Sequence, residues 1–214
     1  MRTVVLIDYG SGNLRSAEKA LWKAAAEISS AVAIRTTSNP EEVAVADAIV
    51  LPGVGAFAAC RSALYAIPGL VEAMSDCVKR RAAPFLGVCV GMQLLATRGL
   101  EFIETPGLDW IPGDVRRLAS SDPLRKVPHM GWNTLDGQLT APLFTNLTAG
   151  SHMYFTHSFA FDAADPGDVA AWTDHGGPII AAVVRDNIAG VQFHPEKSQA
   201  PGQVLLRNFL EWRP

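Results

Sequence analysis

Phe85-Leu86-Gly87-Val88-Cys89-Val90-Gly91-Met92-Gln93 decides how this chain is read. The apolar run Ala82-Ala83-Pro84-Phe85-Leu86 leads into one cysteine with small residues on both sides. Residues 85–88 read as a buried strand, and 91–97 as the start of a helix. A sharp strand-to-helix turn of this kind holds a nucleophile at the end of a sheet, with glycines where a Cβ would clash. Taken alone, the same pattern also fits a buried cysteine at the end of a core strand.

Outward from this turn the first half alternates strands and helices. Strands are expected at 3–8, 31–36 and 48–51, and helices at 14–27, 57–65 and 69–81. Asn39-Pro40-Glu41-Glu42 reads as a helix start, with a capping side chain, proline in the first turn and acids at the positive end of the dipole. This order implies an α/β fold: three layers, a mostly parallel central sheet flanked by helices. From about 113 onward strands and turns dominate, with strands expected at 114–118, 153–161, 169–172, 179–184 and 188–193. Asp186-Asn187 reads as a hairpin turn, and a helix over 199–212 closes the chain. The second half therefore adds antiparallel strands. With 214 residues and no linker or repeat, the chain reads as a single domain over 1–214.

Val191-Gln192-Phe193-His194-Pro195-Glu196 supplies the second half of a site. In an extended segment residues two apart share a face, so Glu196 is expected to orient the His194 ring. Alone, His194 reads first as a surface or satisfied histidine; with Cys89 it becomes the best base candidate, and with Glu196 the three form a Cys-His-Glu triad. The thiolate would be favoured by the N-terminus of the following helix and by a nearby imidazolium. The backbone N–H of Val90 would meet a developing oxyanion, and a second donor would come from Gly53 or Val54 in Leu51-Pro52-Gly53-Val54-Gly55. An ordinary glycine-containing turn explains the latter stretch as well. His152 and His157, five apart, do not make a metal pair.

A formal net charge of −3 argues against nucleic acid as a main partner. No apolar run of about 18 residues exists, so no membrane span is expected. The apolar stretch at the N-terminus is short and ends at Asp8, reading as a strand and not a leader. Three cysteines without C-x-x-C spacing suggest reduced thiols in a cytoplasm, with Cys60 and Cys77 buried. Gly10-Ser11-Gly12-Asn13-Leu14-Arg15 fails as a dinucleotide fingerprint because Arg15 stands at the third glycine position. No cofactor and no metal are called for.

The cysteine and histidine segments together resemble the class I, triad-type glutamine amidotransferases. Further blocks narrow the likeness: residues 7–14, Pro52-Gly53-Val54-Gly55, Pro128-His129-Met130-Gly131-Trp132-Asn133, Tyr154-Phe155-Thr156-His157-Ser158-Phe159 and 192–198 are similar to the glutaminase subunits of imidazole glycerol phosphate synthases. The resemblance implies the flavodoxin-like amidotransferase fold. It implies hydrolysis of L-glutamine to glutamate and ammonia through a thioester on Cys89. It places Gly55, Gln93, His157, Ser158 and Phe159 on the glutamine. It also implies a barrel-fold cyclase partner that receives the ammonia in histidine biosynthesis, with Asn13, Trp132, Tyr154 and Lys197 at or near the interface. Phe159 stands where tyrosine is common, and the 120–125 loop does not align. Another class I glutaminase, or a catalytically silent subunit of the same fold, are the competing readings.

Overall fold

A computed structural model describes residues 1–119, 126–137 and 139–214. The unaligned 120–125 loop lies outside the described residues. The chain runs β1 (Arg2–Ile7), α1 (Leu14–Ala26), β2 (Val32–Thr37), α2 (Pro40–Ala44), β3 (Ala48–Leu51), α3 (Phe57–Tyr65), α4 (Leu70–Ser75), β4 (Phe85–Val88) and α5 (Val90–Gln93). It continues with β5 (Arg98–Gly99), β6 (Thr105–Pro106), β7 (Gly113–Arg117), β8 (His129–Thr134), β9 (His152–His157) and β10 (Phe159–Ala163). It ends with β11 (Val169–Asp174), β12 (Pro178–Arg185), β13 (Ile188–Val191) and α6 (Gln199–Glu211).

Seven strands form the central sheet in the order β11-β12-β13-β4-β3-β1-β2. The neighbours from β13 to β2 are parallel, and β11 and β12 add an antiparallel edge. The chain moves outward from β1 to β2 and then back across β1 to β3. Right-handed crossovers must therefore put α1 on one face and α2 on the other. The packing agrees: α1 lies against α6, whereas α2 and α3 lie against α4. β1, β3, β4 and β13 are almost wholly buried, as strands covered on both faces must be. Phe57, Phe85, Phe155, Phe193 and Phe209 are fully buried in the core between the layers. Asn39 caps α2 by accepting the Glu41 N–H at 2.9 Å.

Three expected elements differ. The helix expected at 91–97 stops at Gln93, because the chain returning through 107–111 takes its carbonyls. Leu108 N–H bonds to Leu94 O, Trp110 N–H to Leu95 O and Asp109 N–H to Ala96 O. The single strand expected at 153–161 breaks at Ser158: β9 pairs with β8, while β10 pairs with β7 in a second sheet. The helix expected at 69–81 changes at Asp76 into a π-helical turn through Arg80. β8 has no alternating pattern and is held by six antiparallel residue pairs with β9.

Candidate active site

The carboxyl ends of β3, β4 and β13 converge on one corner of the sheet, where an α/β fold places its ligands. Cys89 follows β4 with φ 55° and ψ −110°, a left-handed conformation rare for a residue with a Cβ. Its N–H bonds to Val191 O at 2.8 Å, which ties the turn to β13. The turn closes only because no side chain stands at two positions. A Cβ on Gly91 would lie 1.9 Å from Leu51 O, and one on Gly87 would lie 2.4 Å from Gly91 O. These are backbone atoms that cannot swing away. Gly91→Ala should therefore destabilise the fold by more than about 3 kcal/mol, read as a large drop in the thermal midpoint or loss of soluble protein.

β13 ends at Val191, and the chain carries His194 to the same corner. The expectation of an extended segment through Glu196 is corrected here. His194 is extended, but Pro195–Lys197 form a 3-10 turn, and that turn brings Glu196 back to the ring. His194 Nδ1 bonds to Glu196 Oε1 at 2.8 Å. Nδ1 is thus the protonated nitrogen, and Nε2, buried without a conventional hydrogen-bond partner, faces the Cys89 sulfur. Burial lowers the histidine's affinity for a proton, yet contacts with Cys89 and Glu196 outweigh it and push the ring up to about 9. The loop is clamped to β9. His194 N–H bonds to Tyr154 O at 2.9 Å, Tyr154 N–H to Ser198 Oγ at 3.0 Å, and Ser198 Oγ–H to His194 O at 2.6 Å.

A cavity of about 330 Å³ opens on this pair. Val54, Gly55, Val90, Gln93, His157, Ser158, Phe159 and Lys197 line it, all named from the sequence. Glu101 also lines it, an acid that no sequence block marked; its Oε2 accepts the Phe57 N–H at 2.7 Å. Gln93 is already engaged: its amide nitrogen donates to Phe159 O at 2.9 Å and Gln192 Oε1 at 3.0 Å. Asn13 lies apart from this cavity, on a small void shared with Gly53, His194 and Glu196. Trp132 and Tyr154 meet edge to face at 5.9 Å across β8 and β9, and Lys197 stands 5.6 Å over the Tyr154 ring. Met130 and Trp132 are both exposed on β8.

The expected oxyanion donors sit side by side without converging. Val90 N–H bonds to Gly53 O at 3.3 Å, so the Gly53-Val54 peptide turns its oxygen inward. Its N–H points the other way, toward Ser11 Oγ at 3.4 Å. Ser11 Oγ–H donates to Val54 O at 2.9 Å, the Cys60 thiol reaches the same oxygen at 3.3 Å, and Tyr9 OH donates to Pro52 O at 2.7 Å. The segment is therefore pinned with the hole closed. The sequence did not mark Tyr9, Ser11 or Cys60 for this role.

His157 is buried, and burial, reinforced by His175 and His194, pushes it down to about 4 against the bond to Phe159 O. Between pH 6.5 and 4 the unfolded chain takes up a proton that the fold refuses, so stability falls as pH falls through this window. The urea midpoint should drop accordingly, and His157→Gln should flatten that part of the pH profile.

Among the described residues no group of three or more His, Cys, Asp or Glu side chains is arranged to hold a metal ion. No described helix is long and apolar enough to cross a membrane.

Fold and site together are those of a class I glutamine amidotransferase, and the family model described as "Glutamine amidotransferase class-I" matches residues 5–212. Two solved glutamine amidotransferases share the fold. One has a TM-score of 0.72 at 21% identity, covering 97% of each chain. The other, from Thermotoga maritima, has a TM-score of 0.64 at 15% identity, covering 98% of this chain and 96% of its own. Curated relatives named "Imidazole glycerol phosphate synthase subunit HisH" are much nearer in sequence. That of Caulobacter vibrioides is 58% identical over all of both chains, that of Brucella suis 53% over 99% of each, and that of Cereibacter sphaeroides 54% over 98% of this chain and 99% of its own. The chain belongs to this HisH family of class I glutamine amidotransferases.

Proposed function

We propose that this chain hydrolyses L-glutamine and hands the ammonia to a barrel-fold cyclase, as the glutaminase subunit of an imidazole glycerol phosphate synthase in histidine biosynthesis. The observation that carries this reading is the contact between Cys89 and His194, with Glu196 fixed behind the ring, opening on a cavity of about 330 Å³.

The chemistry follows from the geometry. His194 Nε2 holds the proton drawn from the thiol, and the thiolate sulfur attacks the side-chain amide carbon of glutamine. The tetrahedral oxyanion needs the N–H groups of Val90 and Val54 together, so the Gly53-Val54 peptide must rotate before they converge. His194 then returns its proton to the departing nitrogen. Ammonia leaves, a γ-glutamyl thioester remains, and water attacks it with His194 as base to release glutamate. Gly55, Gln93, His157, Ser158 and Phe159 surround the substrate, and the Glu101 carboxylate suits its α-ammonium group.

The cyclase docks on the face that carries Met130, Trp132, Tyr154 and Lys197, with Asn13 behind the oxyanion segment. Exposed Trp and Met beside the catalytic mouth are what an interface core uses. Lys197 belongs both to this face and to the cavity. One contiguous core supports a single domain over 1–214, and three free cysteines support a cytoplasmic setting. The test is co-purification with the cyclase followed by glutamate release from glutamine. Glutamine turnover that depends on the complex supports the reading; absence of both complex and turnover overturns it.

A further inference from the structure

Gln192 has no assigned part in the reaction, yet it is fully buried against the nucleophile. Its Nε2 lies 3.7 Å from Cys89 Sγ, within reach of a hydrogen bond to sulfur. The direction of that bond is settled by its surroundings. Phe159 O is a backbone carbonyl and only accepts; it takes the Gln93 Nε2 at 2.9 Å and the His157 Nδ1 at 2.8 Å. Gln93 therefore turns its amide nitrogen inward, and the same nitrogen meets Gln192 Oε1 at 3.0 Å. With its oxygen so occupied, Gln192 has only its N–H groups to offer the sulfur.

The same chain continues away from the site. His157, having given its Nδ1 proton to Phe159 O, accepts at Nε2 from His129 Nδ1 at 3.0 Å. His129 Nε2 in turn meets Asn133 Nδ2 at 3.1 Å. Donors from Asn133 through His157 run toward Phe159 O, Gln93 donates to that carbonyl from the other side, and from Gln93 onward the donors run toward the thiol.

We propose that Gln192 is a further catalytic residue: its side-chain amide donates a hydrogen bond to the Cys89 thiolate, and the Phe159 carbonyl, acting through Gln93, fixes its orientation. The sequence assigned thiolate stabilisation partly to the helix after Cys89. That helix has a single turn, Val90–Gln93, too short to build up a macrodipole. An aligned amide against the sulfur supplies what the helix does not. A donor to an ionised group is stronger than one to a neutral group, so the contact favours the thiolate over the thiol. It acts again when the thioester breaks and sulfur leaves. The inference rests on Cys89 being the nucleophile. Besides Gln192, the sulfur is faced by His194 with Glu196 behind it, by His157, Glu101 and Lys197 around the cavity, and by Tyr9 and Cys60 behind the turn.

The test is the rate of Cys89 alkylation by iodoacetamide against pH, read by mass spectrometry on the full chain. Three proteins are compared: the parent, Gln192→Met and Gln192→Glu. Methionine fills the space without donating, and glutamate keeps the shape and still accepts from Gln93 but turns a carboxylate oxygen toward the sulfur. At pH 7 Gln192→Met should react about 5- to 10-fold more slowly, its profile displaced to higher pH, and Gln192→Glu should be slower still. A packing role predicts the reverse order, with the isosteric glutamate milder; that order, or unchanged profiles, overturns the inference. If Cys89 of the parent reacts no faster than Cys60 and Cys77, the nucleophile reading itself fails. If it reacts fast and the variants match it, Gln192 alone is excluded.

Discussion

Replacing Cys89 with alanine should abolish glutamine hydrolysis, with a loss on the order of 10⁴-fold or more. The size of the effect follows from the chemistry. Without the sulfur no thioester forms, and the remaining groups can only assist direct attack by water. Folding should survive, because alanine is smaller and meets the same backbone conformation that cysteine already adopts at φ 55°. Glutamate release from the cyclase complex gives the measure, with circular dichroism as the control. A variant that turns over glutamine at the parental rate removes Cys89 from the mechanism. Selective alkylation provides a second view. Burial pushes the Cys60 and Cys77 thiols up, against the hydrogen bonds of Ser11 and Tyr9 at Cys60 and the Arg81 charge at Cys77, so neither should react quickly near neutral pH.

The second large effect is on the oxyanion hole. With Val90 N–H spent on Gly53 O and Val54 N–H turned to Ser11, the resting site lacks its converging donors. Loss of one such donor costs about 10²–10³ in kcat. The isolated chain should therefore hydrolyse glutamine slowly, and binding to a ligand-loaded cyclase should raise kcat by about 10²–10³-fold. The change belongs to kcat more than KM, because the donors meet charge that exists only in the transition state. Steady-state rates with and without the loaded partner decide it; equal kcat values would refute a closed hole. Ser11→Ala bears on the same point. Removing the hydroxyl that holds the closed peptide should raise the basal rate several-fold and shrink the stimulation, by roughly the worth of one hydrogen bond.

Much of the scaffold was legible because local chemistry and global packing agree. β3 (Ala48–Leu51), α3 (Phe57–Tyr65) and β4 (Phe85–Val88) lie where apolar runs and breakers place them. The spacing of His194 and Glu196 suggested a pair, though the 3-10 turn that closes it is not an extended segment. What was hidden depends on groups distant in the chain. The helix after Cys89 is short because residues 107–111 compete for its carbonyls. The break at Ser158 exists because β9 and β10 answer to different partners, β8 and β7. The closed oxyanion peptide depends on Ser11 and Cys60, and the direction of Gln192 on a carbonyl 33 positions earlier, at Phe159. Periodicity reports which face a residue shows; it does not report which way a peptide or an amide turns.

The clamp between Tyr154 and the His194 loop has an engineering consequence. One residue of β9, Tyr154, carries a partly exposed ring and holds His194 at both backbone ends, its C=O taking the His194 N–H and its N–H reaching the His194 carbonyl through Ser198 Oγ. Anyone redesigning this surface to recruit a different synthase would be adjusting the proton carrier at the same time. On the docking face proposed above, partner choice and turnover would be mechanically geared, and libraries that vary it should be screened for both traits together.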